Sequence, residues 1–413
     1  YYAHYIKPNS LMRSYRFAIL LLFIFHSSVF SQVSVLSGVA PSYAGDELIF
    51  YRYSDMITYT EEPVGRVTVD AEGRFTCRMD IDETSFVFIY LGVYKGFFFV
   101  EPGSIYTLLL PNKVEKTEAQ RLNPFFRNTE LHLGIEGIEQ NDLNFMIGTF
   151  DLAFNEHFDQ IVTEAFTGEA TISLDSLIIA LESRFDKFNH PFFEAYKNYR
   201  YGLIQQLALV QKSRAISENF FLNRPIQYNN PAYMELFNQL YDKYFLFVGR
   251  SISGSAVYSN ISDQRSYSNL KKTLAQDQVL LNDTLMEMVI LKGLFDGFFD
   301  DRFSRSALLD ILDSLYTSTT IAEHMVIAQN IRSKVTRLLP GFVPHPFQLF
   351  SSTGELMTLD DFKGKYIYLN FCTTTSYTCL QEFILLDKLK ERFGEVLEIV
   401  TISTDRSKQE LLD

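Results

Sequence analysis

The chain has 413 residues, more than a single hydrophobic core usually fills, and we therefore expect two or three domains. Its 47% hydrophobic and 21% charged residues exclude a disordered chain, and a formal net charge of −13 without a long basic cluster argues against nucleic-acid binding. The three cysteines, Cys77, Cys372 and Cys379, are too few for a disulfide-stapled scaffold, and their odd number leaves at least one thiol free or paired with another molecule.

The first predicted element is a secretory signal peptide at residues 12–31. Two arginines precede a short apolar run, Phe17–Phe25, and small side chains then lead to a cleavage position before Gln32. No cysteine follows the cut to carry a lipid anchor, and no later stretch reaches the ~18 uninterrupted apolar residues of a membrane span. The pattern predicts a periplasmic or secreted protein without a membrane span.

Residues 32–112 alternate apolar and polar side chains between turn signals, which is typical of an antiparallel β domain. The spacing of the short strands predicts a small sandwich or barrel, and Cys77 is expected to be a buried apolar side chain within a strand. The predicted strands are Glu47–Tyr53, Arg66–Val69, Arg74–Met79, Ser85–Val93, Phe97–Val100 and Ile105–Leu110.

Residues 113–138 begin with a polar stretch that lacks periodicity and are predicted to be a linker. Residues 139–340 follow the helical period and predict a helical middle domain, interrupted at Arg250–Tyr267 by a loop rich in Ser, Gly and Asn. The predicted helices include Leu174–Phe188, Phe192–Leu209, Ala232–Val248, Ser268–Asp296, Ser304–Leu315 and Thr320–Leu338.

Residues 341–413 contain a βαβ pattern. A buried-type strand, Tyr366–Phe371, runs through a polar turn into an amphipathic helix with Cys379 in its first turn, and Leu397–Ser403 follows as a second strand. This order places a thiol at the carboxyl edge of the sheet, where open α/β sheets carry their chemistry.

The sequence PFQLFSSTGELMTLDDFKGKYIYLNF resembles the beginning of the redoxin domain in TlpA-like and ResA-like thiol-disulfide oxidoreductases, which are exported proteins with a thioredoxin fold. The resemblance covers roughly the last seventy residues. It implies a multidomain α+β protein with a small N-terminal β-sandwich or barrel, a helical middle domain and a C-terminal α/β thioredoxin-like domain. That domain is expected to be incomplete at Asp413, because the family's cis-proline loop and last strands would follow.

The family's active site reads Trp, a short spacer, Trp, Cys-x-x-Cys and then a glutamate. By resemblance, Cys372 and Thr375 stand where the family has its two tryptophans, and Ser376 stands in place of the attacking cysteine. Cys379 keeps the resolving position, and Glu382 matches the glutamate. Because disulfide exchange needs an attacking thiolate and a second thiol, Ser-x-x-Cys cannot cycle as Cys-x-x-Cys does.

Three interpretations of the remaining thiols are open. Cys379 is a lone reactive thiolate, favoured by the helix N-terminus and by a hydrogen bond that Ser376 donates to it, as in the related peroxiredoxins. Alternatively, Cys372 and Cys379 form an unconventional redox pair, which depends on a separation that the sequence does not define. In the third interpretation Cys372 fills the space of the missing tryptophan, and Cys379 is a buried relic.

Two functions follow. The first is an exported thioredoxin-like protein of the TlpA-like family with a diverged site and at most single-thiol redox activity, whose partner is a protein thiol or disulfide. The second is a non-catalytic periplasmic binding or scaffold protein that uses its β and helical domains. The histidines do not cluster and no glycine-rich phosphate-binding motif occurs, so we predict neither a metal nor another cofactor.

Overall fold

The computed structural model describes most of the chain after the predicted signal peptide, which lies outside the described residues, as does Thr375. The described residues are 32–123, 125–167, 174–208, 212–248, 254–344, 346–373, 376–403 and 405. Within these residues, no helix is both long enough and apolar enough to cross a membrane. Contacts divide the chain into a first unit that ends at Val335 and a second unit that begins at Thr336.

Two β-sheets share the hydrophobic core at the start of the first unit. The four-stranded sheet has the spatial order β4 (Arg74–Ile81), β1 (Gln32–Val39), β7 (Ile105–Leu109) and β9 (Gly134–Ile135). The five-stranded sheet has the order β3 (Thr60–Thr68), β2 (Glu47–Asp55), β5 (Ser85–Leu91), β6 (Tyr94–Val100) and β8 (Thr129–His132).

Strand β4 illustrates how the sequence pattern produces the core. Its side chains alternate strictly between exposed and buried, so that Phe75, Cys77, Met79 and Ile81 all enter the space between the sheets. Full burial of an apolar side chain of this size stabilises the fold by about 1.5–3 kcal/mol. As the sequence predicts, Cys77 is buried, and this burial raises the pKa of its thiol.

Helices and large side chains of the sheet itself cover much of the outer face of the five-stranded sheet, which explains why β5 does not alternate cleanly. Phe88 and Phe99 on this face are as buried as core residues. The Phe99 ring lies 5.7 Å from that of Phe192 and 6.0 Å from that of Tyr196, two residues of a helix. The high aromatic content of the chain therefore serves a sheet that is packed on both faces.

Residues 113–138, for which we predicted a linker, differ from that prediction. They contain a short helix, α1 (Glu118–Leu122), and the two strands β8 and β9. Strand β8 pairs in parallel with β6, and β9 pairs antiparallel with β7. Strands of two to four residues are too short to show a period, so only their pairing with the sheet edges reveals them.

The rest of the first unit is helical. Its helices are α2 (Leu143–Thr167), α3 (Leu174–Phe185), α4 (Pro191–Leu207), α5 (Ser213–Phe220), α6 (Pro231–Leu240), α7 (Tyr244–Val248), α8 (Gly254–Tyr258), α9 (Tyr267–Leu274), α10 (Asp283–Gly297), α11 (Arg305–Ser318) and α12 (Ala322–Thr336).

The predicted loop at Arg250–Tyr267 was wrong in its described part. Helix α8 and a π-helical turn, Ser259–Asp263, occupy it. Ile261 is fully buried, and the amide of Asn260 donates to the backbone oxygen of Asn269. Tertiary burial thus overrides the loop-like composition of this stretch.

Hydrogen bonds join the helices to the β-sheets. The Asn144 amide donates to the Phe99 oxygen at 2.8 Å and its oxygen accepts from the Phe99 nitrogen at 2.6 Å, so that α2 is fastened to β6. Asn330 on α12 donates to Asp55 at the end of β2 at 2.9 Å. The sheets and helices therefore form one unit.

The second unit contains the predicted βαβ pattern. Strand β12 (Tyr366–Cys372) and strand β13 (Leu397–Ser403) pair in parallel, and α13 (Tyr377–Phe393) connects them. A hairpin of β10 (Gln348–Phe350) and β11 (Leu356–Thr358) precedes them.

Candidate functional site

The candidate site lies where β12 and β13 end and α13 begins. The parallel register places Cys372, the last residue of β12, opposite Ser403, the last residue of β13. Both strands therefore end at the same level, and the side chains that follow them meet at one edge of the sheet.

Ser376 is the N-cap residue of α13. Its backbone is extended, with φ −95° and ψ 109°, and its hydroxyl oxygen accepts a hydrogen bond from the Cys379 backbone nitrogen at 3.4 Å. One of the three interpretations of the sequence has Ser376 donate to the Cys379 sulfur; the hydrogen bond that the structure shows joins the Ser376 hydroxyl to the Cys379 backbone. Ser376 thus holds the first helical turn that carries the thiol.

Cys379 is half-buried. Its Sγ donates weakly to the carbonyl oxygen of Phe371 at 3.7 Å, which places the sulfur beside the last residues of β12. The cap at Ser376 and the contact at Phe371 together orient the thiol toward the strand from which the chain has just emerged.

Cys372 is only 6% exposed and directly follows Phe371, whose carbonyl oxygen contacts the Cys379 sulfur. Burial, followed by interaction with the Cys379 thiol, raises the pKa of Cys372 to about 11. The negative charges of Asp405 and Glu382 act in the same direction. At neutral pH Cys372 is therefore held as a protonated thiol.

Asp405 is a site residue that the sequence did not reveal. Its Oδ1 accepts from the Thr373 hydroxyl and its Oδ2 from the Ser403 hydroxyl, both at 2.7 Å. The carboxylate therefore bridges the residues at the two strand ends. The available signal was an acidic residue two positions after the second strand, at the edge where the first strand ends in its cysteine.

Glu382 lies one turn beyond Cys379 on α13 and is exposed. It acts on Cys372 through its negative charge. Of the four predicted site residues, the structure brings Cys372, Ser376 and Cys379 together and places Glu382 at the margin. Across the described ranges, no group of three or more His, Cys, Asp or Glu side chains is placed to hold a metal ion.

Part of the chain is similar to a thioredoxin-like protein. The chain is 35% identical over 83 residues to the thioredoxin-like protein YneN of Bacillus subtilis (strain 168). The match covers 20% of this chain and 49% of that protein, so the chain spans about half the length of the relative it matches. No family model matches the chain, and no solved structure matches it. Part of the chain therefore has a thioredoxin-like relationship.

Proposed function

We propose that this chain is an exported thiol redox protein of the TlpA-like family, with a diverged active site in which Cys379 is the reactive sulfur. The observation that carries the proposal is the position of Cys379. It is partly accessible and lies in the first turn of a 17-residue helix, at the carboxyl edge of two parallel strands. The thioredoxin-like relative agrees with this chemistry.

The chemistry is a thiol-disulfide exchange. The unpaired N–H groups and partial positive charge of a helix N-terminus favour the negative charge of a thiolate. The Cys379 thiolate attacks one sulfur of a partner disulfide, forms a mixed disulfide and releases the other sulfur as a thiolate. Ser376 has no part in this attack because a serine hydroxyl is not a nucleophile at its ordinary pKa; its role is to cap the helix.

Peptide-level alkylation tests the proposal. Reduced full-length protein is pulsed with iodoacetamide near neutral pH, and labelling of each cysteine is compared before and after denaturation. We expect Cys379 to react at least roughly tenfold faster than Cys77, because thiolate character and access control the rate. Cys77 is the internal control, and the Cys379→Ser variant identifies the signal. Labelling of Cys379 that begins only on denaturation contradicts the proposal.

The competing function is a non-catalytic periplasmic binding protein. It is favoured by the serine at position 376, which removes the ordinary Cys-x-x-Cys chemistry, and by the burial of the Cys372 thiol. An unreactive Cys379 in the alkylation test favours this alternative.

Export is a separate part of the proposal. Expressed in a Gram-negative host, the protein is expected in the periplasmic fraction with a mature N-terminus at Gln32, because a signal peptide is cleaved after small side chains. N-terminal sequencing of the purified protein measures this. An uncleaved chain in the cytoplasmic fraction is the result that contradicts export.

A further inference from the structure

We infer that Cys372 is the resolving sulfur of this site, so that a mixed disulfide on Cys379 is converted into an internal Cys372–Cys379 disulfide. The inference rests on the proposed function, because Cys379 has to react first. The second redox residue is then Cys372, at the end of a strand and seven positions before Cys379. In a Cys-x-x-Cys site the two cysteines are only three positions apart.

The geometry carries this inference. Cys379 is held against β12 by the contact of its Sγ with the Phe371 carbonyl oxygen, one residue before Cys372. The Cys379 thiol is near enough to Cys372 to raise the pKa of the Cys372 thiol. Cys372 is the most deeply buried side chain of its strand end and Cys379 is partly accessible, so an incoming disulfide reaches Cys379 first.

The two steps balance. In the first, the Cys379 thiolate bonds to one partner sulfur, the partner S–S bond breaks, and the other partner sulfur leaves as a thiolate. In the second, Cys372 loses its proton to solvent and attacks the Cys379 sulfur, and the remaining partner sulfur leaves and takes up a proton. The two cysteines lose two electrons in total, and the partner disulfide gains them as two thiols.

The electrostatics impose the order of the steps. Contact with Cys379 and the negative charge of Cys379 are two of the causes that raise the pKa of Cys372. Both disappear once Cys379 is part of a disulfide, which has neither a proton nor a charge. The pKa of Cys372 therefore falls when the mixed disulfide forms, and a larger fraction of Cys372 is then the nucleophilic thiolate.

Asp405 is a positioning residue in this scheme. Through Thr373 and Ser403 it closes the two strand ends against each other, immediately after Cys372. The turn that separates Cys372 from the helix is thereby fixed at its first residue. Replacement by asparagine removes the charge and one of the two acceptor oxygens, so it weakens both the bridge and the electrostatic effect on Cys372.

The test uses oxidised glutathione as the probe disulfide and the full-length reduced protein. Both cysteines lie on one tryptic peptide, Tyr366–Lys388, so an internal disulfide makes that peptide lighter by two hydrogen atoms and blocks its reaction with maleimide. Wild-type protein is expected to yield this peptide. The Cys372→Ser and Cys372→Ala variants are expected to keep glutathione on Cys379 at least roughly tenfold longer, because the intramolecular step is lost. Cys77→Ala is the matched control and is expected to behave as wild type.

The outcomes separate the two proposals. A wild-type protein that retains glutathione on Cys379 without an internal disulfide overturns the role of Cys372 and leaves the proposed function intact. A protein that takes up no glutathione at Cys379, in wild type and in both Cys372 variants, overturns the proposed function itself. The wild-type measurement decides the role of Cys372 even where a variant fails to fold.

Discussion

Among the single residues of the site, Cys372 has a strongly raised pKa. Its side chain is buried, and the pKa of its thiol is raised to about 11 from an ordinary value of 9.0. Between pH 9 and about pH 11, the Cys372 thiol keeps its proton in the folded chain but has lost it in the unfolded chain. The contribution of this group to stability is therefore complete below pH 9 and declines as the pH rises toward 11.

The pH dependence of Cys372 labelling is the first prediction. In native wild-type protein, alkylation of Cys372 is expected to stay slow at neutral pH and to rise only toward pH 11, since the thiolate is the reactive form. The Cys379→Ala variant removes one cause of the shift and is expected to move this rise to lower pH. Identical profiles for variant and wild type contradict the contact between the two thiols.

Asn370 provides a second prediction at this scale. Its side chain is 8% exposed, and its amide nitrogen has no hydrogen-bond partner among the described residues. A buried unsatisfied donor costs about 1–3 kcal/mol, so Asn370→Leu is expected to stabilise the second unit by about 1 kcal/mol. Hydrogen exchange of peptides from β12 and β13 measures the change. Faster exchange in the variant shows that Asn370 is satisfied by a partner.

Among the elements, α13 depends on its cap. The Ser376 hydroxyl is the side-chain acceptor at the helix start, so Ser376→Ala is expected to cost about 1 kcal/mol of local stability. Ser376→Asp is the matched variant, because aspartate caps equally well but places a negative charge beside the thiol. We expect Ser376→Asp to preserve hydrogen-exchange protection of α13 and to slow alkylation of Cys379. If Ser376→Ala slows alkylation of Cys379 but leaves the hydrogen-exchange protection of α13 unchanged, the hydroxyl acts on the Cys379 sulfur instead.

Helices α10 and α12 are joined by a buried polar cluster. Glu287 accepts from the Thr319 hydroxyl and lies 2.8 Å from Nδ1 of His324, which is fully buried and whose Nε2 lies 2.9 Å from the Tyr228 hydroxyl. Every member has a partner, so the cluster links the two helices without an orphaned buried group.

Removing the central carboxylate tests that linkage. Glu287→Ala is expected to destabilise the first unit by about 3 kcal/mol, because it leaves Nδ1 of the buried His324 and the Thr319 hydroxyl proton without their acceptor. Glu323→Ala, one residue before His324 but exposed, is the control and is expected to change stability by less than about 0.5 kcal/mol. Urea denaturation followed by circular dichroism compares the two variants, and equal effects contradict the structural role of the cluster.

For the whole molecule, the division at Val335 and Thr336 has a consequence for proteolysis. Arg337 and Leu338 lie directly after α12 and are exposed, Leu338 by 89%. Exposed backbone outside regular structure is the preferred site of proteolytic cleavage. Limited trypsin treatment is therefore expected to cut after Arg337 and to leave a fragment that begins at Leu338. Arg337→Gln is expected to delay this cut, and mass spectrometry identifies the fragments. Earlier cleavage inside both units contradicts the division.

The sequence by itself determined the local elements. Strand β13 coincides with the predicted Leu397–Ser403, and β12 extends the predicted Tyr366–Phe371 by one residue. Apolar spacing identifies such elements because a buried face repeats every two residues in a strand and every 3.6 in a helix.

Only the tertiary structure decided which residues meet. The pairing of β8 and β9 with the sheet edges, the contact between Cys372 and Cys379, and the bridge that Asp405 makes between the strand ends all join residues that local periodicity treats separately. Strand register and the path of the connecting helix determine these contacts, and a single-residue slip in register would turn each side chain to the opposite face. The sequence predicted a thiol at the sheet edge, and the fold placed a second sulfur beside it.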